Sequence, residues 1–163
     1  MNHFMSKNRW AAVIVTSFLV VALAVNIAYA KPTPVPGPKR GSQHQFDKTD
    51  VMLLARLVYG EARGESYTGQ MAVAAVVVNR LQSGRFGSTI ADVVYETDAF
   101  SVVNDGQINL TPDDIAVKAA LGALNGKDPT RGALYYFNPA KTSNAWMWSR
   151  PVTGQIGSHL FMR

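Results

Sequence analysis

Residues 71–78 place the strongest constraint on the fold, because all eight positions, Met-Ala-Val-Ala-Ala-Val-Val-Val, are apolar. A helix that is apolar on every side lies inside a domain, and its alanines allow neighbouring elements to approach closely. The run is too short to cross a bilayer. A helix capped by Thr68 and ending near Leu81 is predicted. A buried strand is the alternative, because residues 76–78 are β-branched.

Two further helices flank this segment. One is predicted to begin at Val51, with Thr49 or Asp50 as its cap, and to weaken or end at Gly60 or Gly64. A shorter helix is predicted to start after Ser88 or Thr89 and to run to about Tyr95.

The next helix carries the clearest start signal, with Thr111 as the cap, Pro112 in the first turn, and Asp113 and Asp114 at its positive end. Gly126 is a suitable stop. The apolar side is predicted to consist of Ile115, Ala119, Leu121 and Leu124.

Strand-like composition appears only near the C-terminus. Residues 133–137 read Ala-Leu-Tyr-Tyr-Phe, and residues 159–162 read His-Leu-Phe-Met. Helices followed by strands predict an α+β domain with a small antiparallel sheet near the C-terminus.

The first 30 residues have the order of a secretory signal peptide. Lys7 and Arg9 precede an apolar run over residues 10–27, and Ala28-Tyr29-Ala30 forms a small-x-small cleavage site. An uncleaved membrane anchor is the alternative, and in both cases the remaining chain is expected to be exported. Residues 31–46 contain four alternating prolines and are predicted to form a linker in front of a domain at 47–163.

The net charge of +5 comes from the N-terminal part of the chain. From Gln43 onward there are eleven Lys plus Arg and eleven Asp plus Glu, which argues against a nucleic-acid-binding domain. The sequence contains no cysteine, no Gly-x-Ser-x-Gly motif and no His-Glu-x-x-His motif. We therefore expect neither a cysteine or serine nucleophile of these types nor a metal or other cofactor.

Glu61 is the strongest catalytic candidate from the residues alone. It follows Leu54, Leu57 and Val58 on one helix face, so its carboxyl should lie against apolar surface with a raised pKa, as a general acid requires. A structural ion pair, for example with Arg63, is the alternative. Glu65 lies four residues later and is expected to be a neighbouring or solvated carboxyl.

Ordered motifs resemble the SleB-type cell-wall hydrolases, the spore cortex-lytic enzymes. Residues 53–65 read LLARLVYGEARGE, and residues 74–80 read AAVVVNR. Later matches are Phe100, the Tyr-Phe-Asn-Pro run at 136–139, Ser149-Arg150, and the Ile-Gly-x-His-x-Phe pattern at 156–161.

The resemblance implies a compact, distantly lysozyme-like or transglycosylase-like domain that acts on peptidoglycan. Glu61 takes the place of the family's catalytic glutamate, and the bond cut would join N-acetylmuramic acid to N-acetylglucosamine with a 1,6-anhydro product. It also implies action on spore cortex or wall, with an accessory spore or envelope protein as a possible partner. Simple muramidase or glucosaminidase hydrolysis is the alternative reaction, and a non-catalytic wall-binding or coat protein is the alternative class.

Late aromatic residues with nearby amide and hydroxyl groups suit sugar rings, which have apolar faces and hydroxyl edges. These residues, together with positions in the motifs that resemble the family, give the following candidate substrate-binding residues: Glu65, Arg63, Asn79, Phe100, Tyr136, Asn138, Trp146, Ser149 and His159.

Overall fold

The computed structural model describes residues 45–163. The predicted signal peptide and all but the last two residues of the predicted linker lie outside this part. The elements, in chain order, are α1 (Lys48–Ala62), α2 (Tyr67–Ser83), α3 (Ile90–Val94), α4 (Ser101–Asn104), a 3-10 helix (Gln107–Asn109), α5 (Asp114–Leu124), β1 (Tyr135–Phe137), α6 (Ala145–Trp148), β2 (Val152–Ile156) and β3 (His159–Met162). Within the described range, no helix is long and apolar enough to span a membrane.

The centre of the fold is α2, as its composition predicts. Every residue from Ala72 to Val78 is buried, and α2 packs against both α1 and α5. The alternative of a buried strand in this segment is wrong. The helix begins after Ser66, whose hydroxyl accepts a hydrogen bond from the Gly69 amide, so Ser66 and not Thr68 is the cap.

The start of α1 lies three residues earlier than predicted. Asp47 caps the helix by accepting a hydrogen bond from the Asp50 amide at 2.9 Å, and the Asp50 carboxylate accepts one from the Asp47 amide at 3.2 Å. This reciprocal pair satisfies two backbone donors that the first turn otherwise leaves free. The predicted caps Thr49 and Asp50 therefore lie inside the helix.

The prediction for α5 is wrong about its cap, and its buried face is confirmed only for Ala119 and Leu124, which lie in or against the core. Asp113 is the cap, accepting from the Ala116 amide at 2.8 Å, and Thr111 lies outside the helix. Ile115 and Leu121 are 48% and 41% exposed, whereas the buried side is formed by small residues. Those small residues are Ala116, Ala119, Ala120, Gly122 and Ala123. Close approach to α1 and α2 requires small side chains, and this requirement outweighs the hydrophobicity of Ile115 and Leu121.

The C-terminal sheet has the order β1-β3-β2, with both pairs antiparallel. Tyr136 is opposite Phe161 in the register, and Phe161 is buried against α2 through Ala72 and Val76. The predicted α+β class is therefore confirmed. The strand β2 and the short helix α6 were not predicted.

Candidate active site

A polar cleft of about 340 Å³ lies at the C-terminal end of α1, between α4 and the strand β1. Its lining comes from four stretches of chain that are distant in sequence. The lining residues are Gly60, Glu61, Arg63, Ser101, Val102, Gln107, Tyr136, Phe137, Asn138, Lys141, Thr142 and His159. Of the candidate site residues, the cleft thus brings together Glu61, Arg63, Tyr136, Asn138 and His159.

Glu61 is half-buried in the last turn of α1, and its carboxyl is held by hydrogen bonds from two elements. The Ser101 hydroxyl donates to Oε1 at 3.4 Å, the Val102 amide donates to the same atom at 3.5 Å, and the Tyr136 hydroxyl also donates. Among the described residues Glu61 forms no salt bridge, because Arg63 turns to Gln107. The alternative of an ion pair with Arg63 is therefore wrong.

Burial raises the pKa of Glu61 above the usual value for a glutamate, and the nearby charge of Asp105 raises it further. The three hydrogen bonds favour the charged form and act in the opposite direction, but the loss of water around the carboxyl is the larger effect. This raised pKa is what the apolar face of α1 predicts. A carboxyl in this environment can hold a proton closer to neutral pH than an exposed glutamate can.

Tyr136 connects Glu61 to the sheet. Burial raises the pKa of its hydroxyl well above the ordinary tyrosine value, and the charge of Glu61 adds to this effect. The hydroxyl therefore keeps its proton and serves Glu61 as a donor. On the same face of the sheet, the ring packs edge-on against His159 at 5.3 Å and lies 5.9 Å from the ring of Phe161.

The rim near α4 is ordered by Gln107. Its side chain accepts a hydrogen bond from Arg63 at 2.8 Å and donates one to Asp105 at 2.7 Å. Hydrogen bonds from Gln107 lower the pKa of Asp105, and the charge of Arg63 contributes. A charged carboxylate and a guanidinium therefore stand beside the cleft without pairing directly.

Glu65 lies behind His159 rather than among the residues that line the cleft. Its carboxylate accepts hydrogen bonds from the hydroxyl and the backbone amide of Ser158, in the turn between β2 and β3. Its Oε1 is 3.6 Å from Nδ1 of His159. Glu65 therefore joins the end of α1 to the β2–β3 turn.

Two candidate residues, the half-buried Asn79 and the buried Phe100, lie away from the cleft. The Asn79 amide donates to the carbonyl of Ala133 at 3.0 Å and to Asp128 at 3.1 Å, which fixes the loop before β1. Phe100 is 4% exposed and its ring lies 4.9 Å from the guanidinium of Arg80. Neither side chain lines the cleft, so any effect on substrate would be indirect.

Trp146 and Ser149 belong to α6 and the residue after it, and they also lie outside the cleft. Trp146 is 49% exposed and packs edge-on against Tyr135 at 5.1 Å, with Arg150 over its ring at 4.4 Å. Since Tyr135 and Tyr136 point to opposite faces of β1, Trp146 lies on the face away from Glu61.

Several residues in the site were not among the sequence candidates. Ser101, Gln107, Lys141 and Thr142 line the cleft from short helices and loops that carry no distinctive spacing. Arg80 was detectable as part of the 74–80 motif. Its Nε donates to the Leu134 carbonyl at 2.8 Å, which anchors the approach to β1.

Over residues 45–163, no three His, Cys, Asp or Glu side chains are grouped so that they could hold a metal ion.

A model of the Cell Wall Hydrolase family matches residues 64–162, which is more than half of the chain. The chain belongs to the cell wall hydrolase family. The resemblance recognised from the motifs is thereby confirmed at the level of the family.

Two relatives of this cell wall hydrolase are spore cortex-lytic enzymes. The one from Halalkalibacterium halodurans is 53% identical over 116 residues, covering 71% of this chain and 35% of the relative. The one from Bacillus cereus is 51% identical over 118 residues, covering 72% of this chain and 46% of the relative. The chain thus spans between about a third and a half of the length of these relatives.

A solved structure agrees with this relationship. The crystal structure of the catalytic domain of the Bacillus cereus SleB protein superposes with a TM-score of 0.70 at 50% identity, covering 74% of this chain and 94% of that domain. The fold of this cell wall hydrolase is therefore that of a SleB catalytic domain.

Proposed function

We propose that this chain cleaves the glycan strand of peptidoglycan, with Glu61 as the catalytic acid. The bond cut joins N-acetylmuramic acid to N-acetylglucosamine, and the reaction is of the lytic transglycosylase type. The observation that carries the proposal is the Glu61 carboxyl, which faces a polar cleft, has a pKa raised by burial and has no cationic partner among the described residues.

The reaction needs one carboxyl that changes role. Protonated Glu61 gives its proton to the glycosidic oxygen as the bond from that oxygen to C1 of the muramic acid breaks. The oxocarbenium-like centre at C1 is then captured by the 6-hydroxyl of the same sugar. The C1–O6 bond forms, and the proton of that hydroxyl returns to the Glu61 carboxylate. The Tyr136 and Ser101 hydroxyls and the Val102 amide stabilise the carboxylate during this exchange.

Hydrolysis is the second candidate reaction, and one observation favours it. A hydrolase of the common two-carboxylate type needs a second carboxylate to activate water or to attack C1. Glu65 is engaged with Ser158, whereas Asp105 is close enough to Glu61 to raise its pKa and is itself held in the charged form. Asp105 is therefore the residue on which hydrolysis would depend.

The place of action that we propose is supported by the relatives and by the N-terminal sequence. Those described as spore cortex-lytic enzymes support action on spore cortex, and wall turnover is the alternative setting. The N-terminal sequence supports export to the envelope or the spore integument. The proposed partner is an accessory spore or envelope protein. The proposed reaction uses neither a cofactor nor nucleic acid.

The test is digestion of purified peptidoglycan, with mass spectrometry of the released fragments. We expect fragments ending in anhydro-muramic acid, lost with Glu61→Gln and retained with Glu96→Gln, the same change at an exposed position. Reducing-end fragments that disappear with Asp105→Asn would establish hydrolysis instead. No fragments from either cortex or vegetative wall would contradict an autonomous enzyme and favour a binding protein.

A further inference from the structure

The carboxylate of Glu65 is fixed in place more tightly than a surface glutamate. The Ser158 hydroxyl and backbone amide both donate to it, and Gly157 lies directly against it. A Cβ atom on Gly157 would overlap Oε2 of Glu65, so a larger residue in the turn would require the Glu65 side chain to move. Gly157 also has a φ of 58°, a conformation that glycine adopts readily.

The imidazole of His159 separates this fixed carboxylate from the cleft. Its Nδ1 is enclosed, has no hydrogen-bond partner among residues 45–163, and lies 3.6 Å from Oε1 of Glu65. Its ring is part of the cleft lining and packs edge-on against Tyr136, which in turn bonds to Glu61. Because Nδ1 is on the enclosed side of the ring, Nε2 at the opposite edge is the nitrogen that can contact a molecule in the cleft.

The two neutral tautomers of His159 differ in whether Nδ1 presents an N–H donor or a lone pair to Glu65. With the proton on Nδ1, the ring presents a donor to the carboxylate. With the proton on Nε2, the lone pair of Nδ1 would face a charged acceptor in an enclosed place, which is unfavourable. A separation of 3.6 Å is slightly long for a hydrogen bond, but such contacts often tighten when substrate binds.

We propose that Glu65 is a positioning residue that holds neutral His159 with its proton on Nδ1. Nε2 is thereby presented to the cleft as a hydrogen-bond acceptor for an O–H or N–H group of the bound glycan. The binding role rests on the proposed function, whereas the tautomer itself does not.

The charges around the ring agree with a neutral imidazole. Burial lowers the pKa of His159, and the positive charge of Lys141, from the loop after β1, lowers it further. Glu65 acts in the opposite direction. Tyr136, the remaining titratable group against the ring, keeps its proton. At neutral pH the ring is therefore neutral and one nitrogen is free to accept.

The direct test is nitrogen NMR of the chain labelled with ¹⁵N-histidine, at neutral pH. The chain has three histidines, and His159→Gln identifies the signals of His159 by their loss. We expect a protonated Nδ1 and a bare Nε2. Glu65→Ala should shift the ring toward the Nε2-protonated form, whereas Ser158→Ala, which removes a Glu65 contact without touching the ring, should leave the tautomer unchanged.

A wild-type ring protonated on Nε2, or a tautomer insensitive to Glu65→Ala, would overturn the proposal. This readout needs no substrate. Its failure is thus distinct from a failure of the proposed function, which the fragment analysis tests.

Kinetics on purified peptidoglycan test the binding consequence. Loss of one oriented hydrogen bond should raise KM roughly tenfold in Glu65→Ala and in His159→Ala, with kcat changed much less. Because Glu65 acts through His159, the double variant should be no worse than either single variant. His159→Gln keeps an acceptor near the position of Nε2 and should recover most of the loss.

The pH dependence of KM provides a further test, because it would not change between variants if Glu65 had only a structural role. In acid the imidazolium carries a proton on both nitrogens, so KM should rise as His159 becomes protonated. Removal of the Glu65 charge lowers the pKa of His159, so the rise should move to lower pH in Glu65→Gln. Additive losses in the double variant, or an unmoved pH profile, would show that Glu65 only supports the turn.

Discussion

The α1–α2 junction has two sides with different environments. Glu61 lies on the cleft side, and Glu65 lies on the hairpin side, next to the turn between β2 and β3. Glu61, on the cleft side, is bonded by two hydroxyls and one amide, and burial dominates its pKa. Glu65, four residues later on the hairpin side, is bonded to the turn at Ser158 and faces an imidazole. One short motif thus places two glutamates in different environments, because a different element packs against each of them.

The largest expected difference between the two sides is catalytic. Glu61→Gln removes the transferable proton and should lower the rate of peptidoglycan cleavage about 100- to 10,000-fold. Glu65→Gln keeps an acceptor for Ser158 and should cost no more than roughly tenfold, mostly in KM. Release of soluble fragments measures both. Equal losses in the two variants would show that Glu61 and Glu65 do not differ in their contribution to cleavage.

The hairpin side should be the more sensitive in stability. Gly157→Ala places a methyl group against Glu65 in a left-handed conformation, and should destabilise the fold by about 2 kcal/mol in urea unfolding. Gly154→Ala, in β2 with open space around it, should stay within about 1 kcal/mol. If Gly157→Ala proves harmless, Glu65 is not held against the turn.

The cleft side should instead respond to a change at Gly60. A Cβ there would lie 2.7 Å from Cγ1 of Val102 and would push α4 away from α1. Because α4 supplies two of the donors to Glu61, we expect a roughly tenfold lower rate with little loss of secondary structure. Gly64→Ala meets no atom within 4 Å and should leave the rate unchanged. Rates and circular dichroism of the pair provide the check.

The smallest expected effect concerns stability and pH. The pKa of Glu61 is raised in the folded protein, so its contribution to stability is greatest below the unfolded pKa and is lost as pH rises through the folded pKa. Glu61→Gln removes this cost and should stabilise the protein at neutral pH. A gain of about 1 kcal/mol would raise Tm by roughly 4 °C.

The matched change Glu96→Gln should leave Tm unaltered at both pH values. For Glu61→Gln the gain should shrink as the pH is lowered toward the unfolded pKa of glutamate. Thermal unfolding at neutral and acid pH measures both variants. A lower Tm for Glu61→Gln at neutral pH would mean that hydrogen bonding, not burial, dominates its environment.

Sequence patterns could predict the residues whose position is set by their own helix. The spacing of Leu54, Leu57 and Val58 fixes the direction of Glu61, and the apolar run of α2 fixes its place at the centre. The same reasoning fails for α5, where the need for close packing selects the alanine face over Ile115 and Leu121.

The remaining site residues depend on contacts between distant segments. Ser101 reaches Glu61 because Val102 packs against Gly60, and Gln107 is located by Arg63 and Asp105. None of these contacts leaves a local pattern. The sequence could not predict that Trp146 lies away from the cleft. Its position depends on the face of β1 that packs against α6, where Trp146 contacts Tyr135.

The strand order β1-β3-β2 has a consequence for the timing of assembly. The last strand in the chain is the central one, so β1 and β2 have no partner until β3 lies between them. His159 begins that strand, and Tyr136 is opposite Phe161 within it. As the chain is synthesised, the helices α1 to α5 are therefore complete before this wall of the cleft can form.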